Sequence, residues 1–317
     1  MEFGFYLPTF GALAKREPLL KIAGYAESLG YDSMVVSDHV VAPIDPKSQY
    51  PYSVGSEVPW GSTGEHLELI SELAFLSAAT EKIKLVSSVM IIPHRNPVLT
   101  AKMLSTIDVL SNGRLIVGVG VGWLEEEFVA LDTRPFKERG KVSDEYLSIF
   151  KTLWTEETPS YSGEYYEFNP LQFAPKPIQE PGPPIWVGGQ SKPAIRRAVN
   201  FGDAWHPVGA NPASPLEPKQ LKEDLGYMED YCKKVGRDYA ELTVAMKAPV
   251  YDKELETDGE RRRFSGSPYQ IIDDVKTYAD LGVSHLILDT RSADLNQFME
   301  KMAWLMEQVI TPLRKNS

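Results

Sequence analysis

Residues 185–191 combine the residue types that can bind a phosphate group. A short apolar strand ends in Gly188 and Gly189, and Gln190 and Ser191 lead directly into a segment of helical character. Glycines let a backbone approach a ligand closely, and N–H groups at a helix N-terminus attract an anion. Ser191 can cap the helix or bond the phosphate. An ordinary strand–turn–helix junction is the alternative, which this motif alone does not separate from a phosphate site.

An acid and an imidazole stand side by side at Asp38 and His39, just after the apolar segment 33–36. Histidine titrates near neutral pH, so His39 can transfer a proton or stabilise charge, and Asp38 can orient it. A structural hydrogen-bonded pair is the alternative. Their position at the C-terminal end of a predicted barrel strand favours a catalytic role.

Three glycines alternate with valines at Gly118, Gly120 and Gly122. A strand repeats every two residues, so the three glycines share one face and leave a flat surface on which a planar ring could lie. Tight interior packing is the alternative. The motif is not a dinucleotide fingerprint, because Trp123 occupies the place of the third glycine.

The histidines, at positions 39, 66, 94, 206 and 285, lack the spacing of metal ligands, so no metal site is predicted. We expect His94 in a turn or at the surface, and His206 and His285 as buried structural residues. Phosphate-loop, zinc-protease and nucleophile-elbow motifs are absent from the sequence.

These residues lie in a chain that alternates strands and helices. The strands are predicted at residues 3–7, 33–36, 83–89, 115–119, 185–188, 204–206, 242–248 and 285–288. The helices are predicted at residues 18–29, 67–79, 98–110, 142–153, 192–201, 219–235, 268–281 and 295–309. Eight strands, each followed by a helix, predict an α/β fold of the (β/α)8 TIM-barrel type, with residues 1–317 as a single domain.

Long insertions follow predicted strands 2, 4 and 7, on the face where barrels carry their active sites. The first insertion contains Tyr50, Tyr52 and Trp60 and could form a pocket wall or simply a surface loop. Tyr50, Trp60 and Trp123 are the candidate substrate-pocket residues. Their aromatic character favours a small organic, partly apolar substrate.

The composition limits which binding partners and which cellular compartment are expected. The net charge of −11 makes a nucleic-acid partner unexpected, and no apolar run approaches the roughly 20 residues of a membrane span. A single cysteine, Cys232, excludes an internal disulfide and favours a cytoplasmic protein. The run from Arg261 to Arg263 is expected to be a solvated loop, with a place beside an anionic ligand as the alternative.

Together, residues 3–9, 36–39, 112–123, 185–191 and 202–205 resemble the luciferase-like monooxygenase family, and more closely its deazaflavin (coenzyme F-420)-dependent oxidoreductases. The resemblance implies a homodimeric TIM barrel that transfers a hydride between an organic substrate and F-420. An FMN-dependent monooxygenase that uses O2 and a partner flavin reductase is the alternative. A cofactor-binding barrel without catalysis is a second alternative.

The resemblance also implies roles for individual residues. The cofactor phosphate would be held by Gly188, Gly189, Gln190 and Ser191. The flavin-type ring would be backed by a cis peptide between Ser88 and Val89 and flanked by Gly120, Val121 and Gly122. The proton or charge would be handled by Asp38 and His39.

Two features leave the substrate and the cofactor open. Sugar-phosphate-oxidising relatives carry a glutamate acid where this chain has Trp123, and whether Glu125, Glu126 or Glu127 replaces it stays open. The carboxylates of a deazaflavin tail would be helped by nearby cations, for which a solvated helix face is the alternative. Those cations are Lys192, Arg196 and Arg197.

Overall fold

The computed structural model describes residues 1–52, 64–257, 259–290 and 292–315, and its centre is a closed parallel barrel. The strands are β1 (Glu2–Tyr6), β2 (Ser33–Val36), β3 (Lys84–Ser87), β4 (Leu115–Gly120), β5 (Ile185–Gly188), β6 (Ala204–His206), β7 (Thr243–Pro249) and β8 (Val283–Asp289). Each strand pairs with its successor, and β8 pairs with β1. The predicted (β/α)8 barrel is confirmed.

Helices surround this barrel. They are α1 (Arg16–Leu29), α2 (Leu69–Ala79), α3 (Pro97–Leu110), α4 (Glu125–Ala130), α5 (Arg139–Thr155), α6 (Lys192–Phe201), α7 (Pro218–Val235), α8 (Pro268–Asp280) and α9 (Leu295–Leu305). Helix α4, in the insertion after β4, was not predicted. In the same insertion, Tyr161–Ser162 pairs antiparallel with Glu167–Phe168. None of the helices in the described ranges is long and apolar enough to cross a membrane.

Local capping signals start several helices. Ser267 caps α8, and Gln270 returns the hydrogen bond in the predicted capping box. Asn96 caps α3 and Ser191 caps α6, each accepting a hydrogen bond from a backbone N–H of the first turn. These signals are local in the chain, which is why the sequence reveals them.

Strand β3 is shorter than the predicted strand 83–89. It ends at Ser87, the peptide bond between Ser88 and Val89 is cis, and pairing with β4 resumes at Met90–Ile91. The Ser87 hydroxyl donates to the carbonyl of Gly118 over 2.7 Å. A Cβ atom at position 118 would lie only 1.8 Å from the carbonyl oxygen of Ser87. The cis bond agrees with the resemblance, and the close approach of the strands explains why position 118 is glycine.

The glycine face of β4 is not an open flat surface. A Cβ atom at Gly120 would lie 2.6 Å from a methyl group of Val89, and one at Gly122 would lie 2.7 Å from the ring of Phe128. The side chains of Val89, after β3, and Phe128, in α4, therefore fill the space that these glycines leave. Tight packing therefore explains these glycines, and a ring flanked by Gly120, Val121 and Gly122 stays a prediction.

The arginine run is not a solvated loop. Arg261 and Arg263 both form ion pairs of 2.9 Å with Asp274, a residue of α8 with no solvent exposure. The backbone N–H of Phe264 donates to the same carboxylate over 2.8 Å. A buried carboxylate needs such partners, because desolvation of an unpaired charge is costly. The two arginines thus anchor the insertion after β7 to α8.

We predict that Gly118→Ala destabilises the protein by about 3 kcal/mol or more, since the new methyl group must displace a backbone carbonyl. Urea unfolding followed by circular dichroism measures the change. The matched control is Gly24→Ala in α1, where a Cβ atom meets nothing within 4 Å. That change should stabilise the protein by about 1 kcal/mol through helix propensity. Equal effects of the two substitutions would contradict the close-approach argument.

Candidate active site

A cavity of about 560 Å³ lies at the C-terminal ends of the barrel strands. Residues at or just after the ends of β1, β2, β3, β5, β6, β7 and β8 contribute to its wall. Among them are Tyr6, His39, Ser88, Gly188, His206 and Lys247. Barrels carry their active sites at this end, so the cavity is the candidate active site.

The carboxylate of Glu127, a buried residue of α4, holds His39. Its Oε2 lies 3.0 Å from Nδ1 of His39, and its Oε1 accepts the N–H groups of Val40 and Val41 at 2.6 and 3.1 Å. Burial alone would raise the pKa of Glu127, but hydrogen bonding and charge from His39 hold that pKa below its usual value. The ionised carboxylate accepts the Nδ1 proton of His39 and directs Nε2 away from Glu127.

Asp38 has a different partner from the one expected. Its two carboxylate oxygens accept from the guanidinium of Arg95, each over 2.7 Å, and Oδ2 also accepts from the N–H of Ile91 at 2.8 Å. Although burial raises it, the charge of Arg95 keeps the pKa of Asp38 below its usual value. The prediction that Asp38 orients His39 is therefore wrong, and Glu127 occupies that position. Asp38 ties the segment after β3 to the end of β2.

A second imidazole, His66, lies beside the first. The two rings are 5.6 Å apart, centroid to centroid, in an edge-to-face arrangement. Nε2 of His66 lies 2.9 Å from Oγ of Ser37, and Nδ1 lies 2.7 Å from the carbonyl oxygen of Leu67. Sequence reasoning missed this residue, because His66 belongs to no motif and is 27 positions from His39 in the chain.

Aromatic side chains form the rim of the cavity. The ring centroids of Tyr50 and Trp123 are 5.2 Å apart, and those of Tyr50 and Tyr52 are 5.7 Å apart. Trp123 also lies edge-on to His39 at 5.9 Å. Tyr50 and Trp123 thus lie where the sequence predicted. Trp60, the third candidate pocket residue, lies outside the described residues.

The predicted phosphate motif is divided by the fold. Gly188 and Gly189 line the cavity, and Ser191 caps α6 through the N–H of Ala194. Gln190 is directed elsewhere, because its side chain bonds the carbonyl of Val208 and the hydroxyl of Ser214. Helix α6 therefore begins next to the cavity wall.

The cations of α6 have protein partners. Arg197 is buried and pairs with Asp144 of α5 at 2.5 Å. Arg196 donates to the hydroxyl of Tyr227 over 2.9 Å, and the ammonium of Lys192 lies 5.1 Å from the ring centroid of the same tyrosine. Arg197 thus joins two helices, so neither a solvated helix face nor a cofactor tail explains it.

The remaining histidines are buried. Nε2 of His206 lies 2.9 Å from Oγ of Ser88 on the cavity wall, and burial lowers the pKa of His206 to about 4. His285 lies between Ser33 and Glu2. His94 ends the short 3-10 turn Ile92–His94, packs on the ring of Phe128 at 4.8 Å and is 8% exposed, so it lies in a turn as predicted but not at the surface. Within the described ranges, no cluster of His, Cys, Asp or Glu could hold a metal ion.

Comparison with known proteins identifies the family. The profile of the luciferase-like monooxygenase family matches residues 1–256, so the chain belongs to this family. An F420-dependent glucose-6-phosphate dehydrogenase of Segniliparus rotundus is 27% identical over 318 residues, or 87% of this chain and 88% of that protein. An FMNH(2)-dependent dimethylsulfone monooxygenase of Pseudomonas putida is 35% identical over 166 residues, or 52% of this chain and 44% of that one.

A solved structure agrees with this assignment. An F420-dependent secondary alcohol dehydrogenase in complex with an F420-acetone adduct matches with a TM-score of 0.75, at 19% identity and over 98% of each chain. At that identity the match establishes the fold alone. The family contains oxidoreductases and monooxygenases, and the relatives use either F420 or FMNH2.

The loop that carries the aromatic rim is held by a second glutamate of α4. Glu126 accepts hydrogen bonds from the backbone N–H of Lys47, at 2.6 Å, and from the N–H and hydroxyl of Ser48, at 3.1 and 2.7 Å. Burial opposes ionisation of this carboxylate, but the hydrogen bonds of Ser48 and Lys47 lower the pKa of Glu126 to about 2. These bonds hold the segment just before Tyr50.

We predict that Glu126 makes the stability of the protein depend on acid pH. Its pKa is about 2 in the folded protein and ordinarily 4.5, so the unfolded chain binds more protons between these values. The stabilisation is present above pH 4.5 and is lost as the pH falls toward 2. Urea unfolding at about pH 6 and at about pH 3 should show a smaller loss of stability on acidification for Glu126→Gln than for the wild type.

The control for this prediction is Glu125→Gln. It removes the same charge from the neighbouring position of α4 without breaking the hydrogen bonds to Lys47 and Ser48. This variant should keep the wild-type loss of stability. If Glu126→Gln and Glu125→Gln respond to pH alike, the loop contacts of Glu126 do not cause the effect.

Proposed function

We propose that the protein is an oxidoreductase that transfers a hydride between an organic substrate and a deazaflavin coenzyme of the F-420 type. The observation that carries the proposal is the position of the α6 N-terminus, which begins beside a cavity that also holds His39. The proposed phosphate-binding site at the start of α6 and the proposed proton-handling group, His39, therefore lie at the same mouth of the barrel. Similarity to an F420-dependent dehydrogenase over 87% of this chain supports the choice of coenzyme.

The residues present fit such a coenzyme at two points. Gly188 and Gly189 form part of the cavity wall directly before the capped N-terminus of α6, where backbone N–H groups favour a phosphate. Ser88 and Val89 line the same cavity and would face the ring of the coenzyme. When bound, a deazaflavin accepts or donates a hydride, and the protein supplies orientation and electrostatics.

His39 is the proposed proton-handling or charge-stabilising group. Its Nδ1 faces the carboxylate of Glu127 at 3.0 Å, and the ring lies on the cavity wall. A carboxylate on one ring nitrogen stabilises the imidazolium, and it fixes the tautomer when the ring is neutral. Glu127 is therefore the positioning residue that Asp38 was expected to be.

A second candidate function is FMN-dependent monooxygenation with O2 and a partner flavin reductase. It is favoured by the 35% identity to an FMNH(2)-dependent dimethylsulfone monooxygenase over 166 residues. The same start of α6 would bind the phosphate of FMN, and Ser88 and Val89 would face its ring. The shorter match, over 52% of this chain, ranks this function second.

We predict that the purified protein binds oxidised F-420 in the micromolar range and binds FMN more weakly. Fluorescence quenching of each ligand during titration measures the two dissociation constants. Tighter binding of FMN would favour the monooxygenase. Binding of neither ligand would contradict both assignments.

We predict that Ser191→Asp weakens binding of the preferred cofactor by about tenfold or more. Aspartate caps a helix as well as serine does, so α6 should remain folded, while the new charge repels a phosphate at the same N–H groups. The control is Ser267→Asp, which makes the same change at the N-cap of α8. Equal affinity of both variants would place the phosphate away from α6.

A further inference from the structure

A directed chain of hydrogen bonds ends at His66. The carbonyl oxygen of Leu67 can only accept, so Nδ1 of His66, 2.7 Å away, carries the proton. In the neutral ring, Nε2 is then an acceptor. Burial lowers the pKa of His66 below its usual value, so the ring is neutral at pH 7. His66 therefore offers an unprotonated imidazole nitrogen to the groups beside it.

Two hydroxyl groups lead from this nitrogen to the cavity. Oγ of Ser37 lies 2.9 Å from Nε2 of His66, so Ser37 donates to the imidazole. The phenol of Tyr6 donates to Oγ of Ser37 over 2.6 Å. Thr9 lies beside both oxygens, 2.7 Å from Ser37 and 3.1 Å from Tyr6. In this arrangement the protons of the Tyr6–Ser37–His66 chain point toward Nε2, which also has Oγ1 of Thr9 at 3.4 Å, and all three residues of the chain line the cavity.

Charged groups surround the chain at both ends. Burial is the main cause that lowers the pKa of His66, and the carbonyl of Leu67 and the charges of Asp38 and Glu127 oppose that shift in part. The ring of Phe10 stacks on the imidazole at 6.1 Å.

At the other end, the ammonium of Lys247 lies 3.7 Å from the ring centroid of Tyr6 and 3.8 Å from a carboxylate oxygen of Asp289. The positive charge over the ring face favours negative charge that develops on the Tyr6 phenol, and the carboxylate of Asp289 offsets part of this effect.

We propose that Tyr6, Ser37 and His66 form a proton relay that removes the hydroxyl proton of an alcohol substrate. This inference rests on the proposed hydride-transfer function. The substrate proton passes to the oxygen of Tyr6, the Tyr6 proton passes to Ser37, and the Ser37 proton passes to Nε2 of His66. The O–H and carbinol C–H bonds break, a C=O bond forms, and the C–H electron pair leaves as hydride to the oxidised deazaflavin.

The relay and the rim together define the substrate class. Tyr6 places a hydroxyl-recognising oxygen on the cavity wall, whereas Tyr50 and Trp123 form an aromatic rim. A secondary alcohol with an apolar substituent, or its ketone in the reverse direction, matches this distribution. In this arrangement Tyr6 is the catalytic residue that touches the substrate, and Ser37 and His66 act through it. In this arrangement the His39–Glu127 pair has the charge-stabilising role proposed above and does not accept the substrate proton.

Nitrogen-15 NMR of the histidine-labelled, cofactor-free protein tests the relay without turnover. The His66 signal is assigned with His66→Gln. We expect a neutral His66 with the proton on Nδ1 at pH 7, an Nε2 shift that Ser37→Ala alters, and its recovery in Ser37→Thr, which keeps the hydroxyl. Saturating 1-phenylethanol should move the Nε2 signal in the wild type and not in Ser37→Ala. An imidazolium, an Nε2–H tautomer or an unresponsive signal would overturn the relay.

Turnover of 1-phenylethanol by the F-420-loaded enzyme tests its catalytic role. Tyr6→Phe and Ser37→Ala should lower kcat by about 100-fold or more, with cofactor affinity unchanged, and Ser37→Thr should recover most of it. The control Ser33→Ala removes a similar Ser–His hydrogen bond, 2.7 Å to His285, at the other end of β2, and should keep wild-type kcat.

The outcomes separate the two proposals. Failure of the wild type to bind a deazaflavin would refute the proposed function, while the NMR result would still decide whether the relay exists. A loaded wild-type enzyme that does not oxidise the alcohol, or a Ser37→Ala variant with wild-type kcat, would overturn the relay as the route for the substrate proton.

Discussion

The Glu127 carboxylate joins the two insertions that shape the barrel mouth. It comes from helix α4, after β4, and it accepts the Nδ1 proton of His39 and the N–H groups of Val40 and Val41, after β2. A buried carboxylate is tolerated only where such donors surround it, so the loop and the helix must fold together. The orientation of His39 depends on this contact, and the neighbouring Glu126 holds the segment just before Tyr50.

Two buried carboxylates at the mouth do different work. Asp38 is neutralised by the planar fork of Arg95, which makes it a fixed structural link between β2 and the segment after β3. Glu127 instead accepts the Nδ1 proton of His39. The two carboxylates therefore differ in their partners, a permanently charged guanidinium at one position and an imidazole at the other.

The histidines divide in the same manner. His39 faces a carboxylate, whereas His66 faces a backbone carbonyl and His206 is buried, and burial lowers the pKa values of the latter two, so both rings are neutral at pH 7. Titratable groups with opposing environments, placed together in one cavity, are how enzymes arrange acids and bases. The cavity thus combines polar groups on the barrel strands with aromatic groups on the rim.

The sequence by itself determined the barrel, because strand and helix periodicity, the capping box at Ser267 and the turns are local signals. It also placed His39 at the mouth, since parallel strands deliver their C-terminal residues there. Only the tertiary structure decided which residues contact one another at the site. Glu127 is 88 positions from His39 in the chain, and Gly118 lies against the carbonyl of Ser87 on the neighbouring strand. Such contacts follow from how strands and insertions pack, which no local pattern of residues encodes.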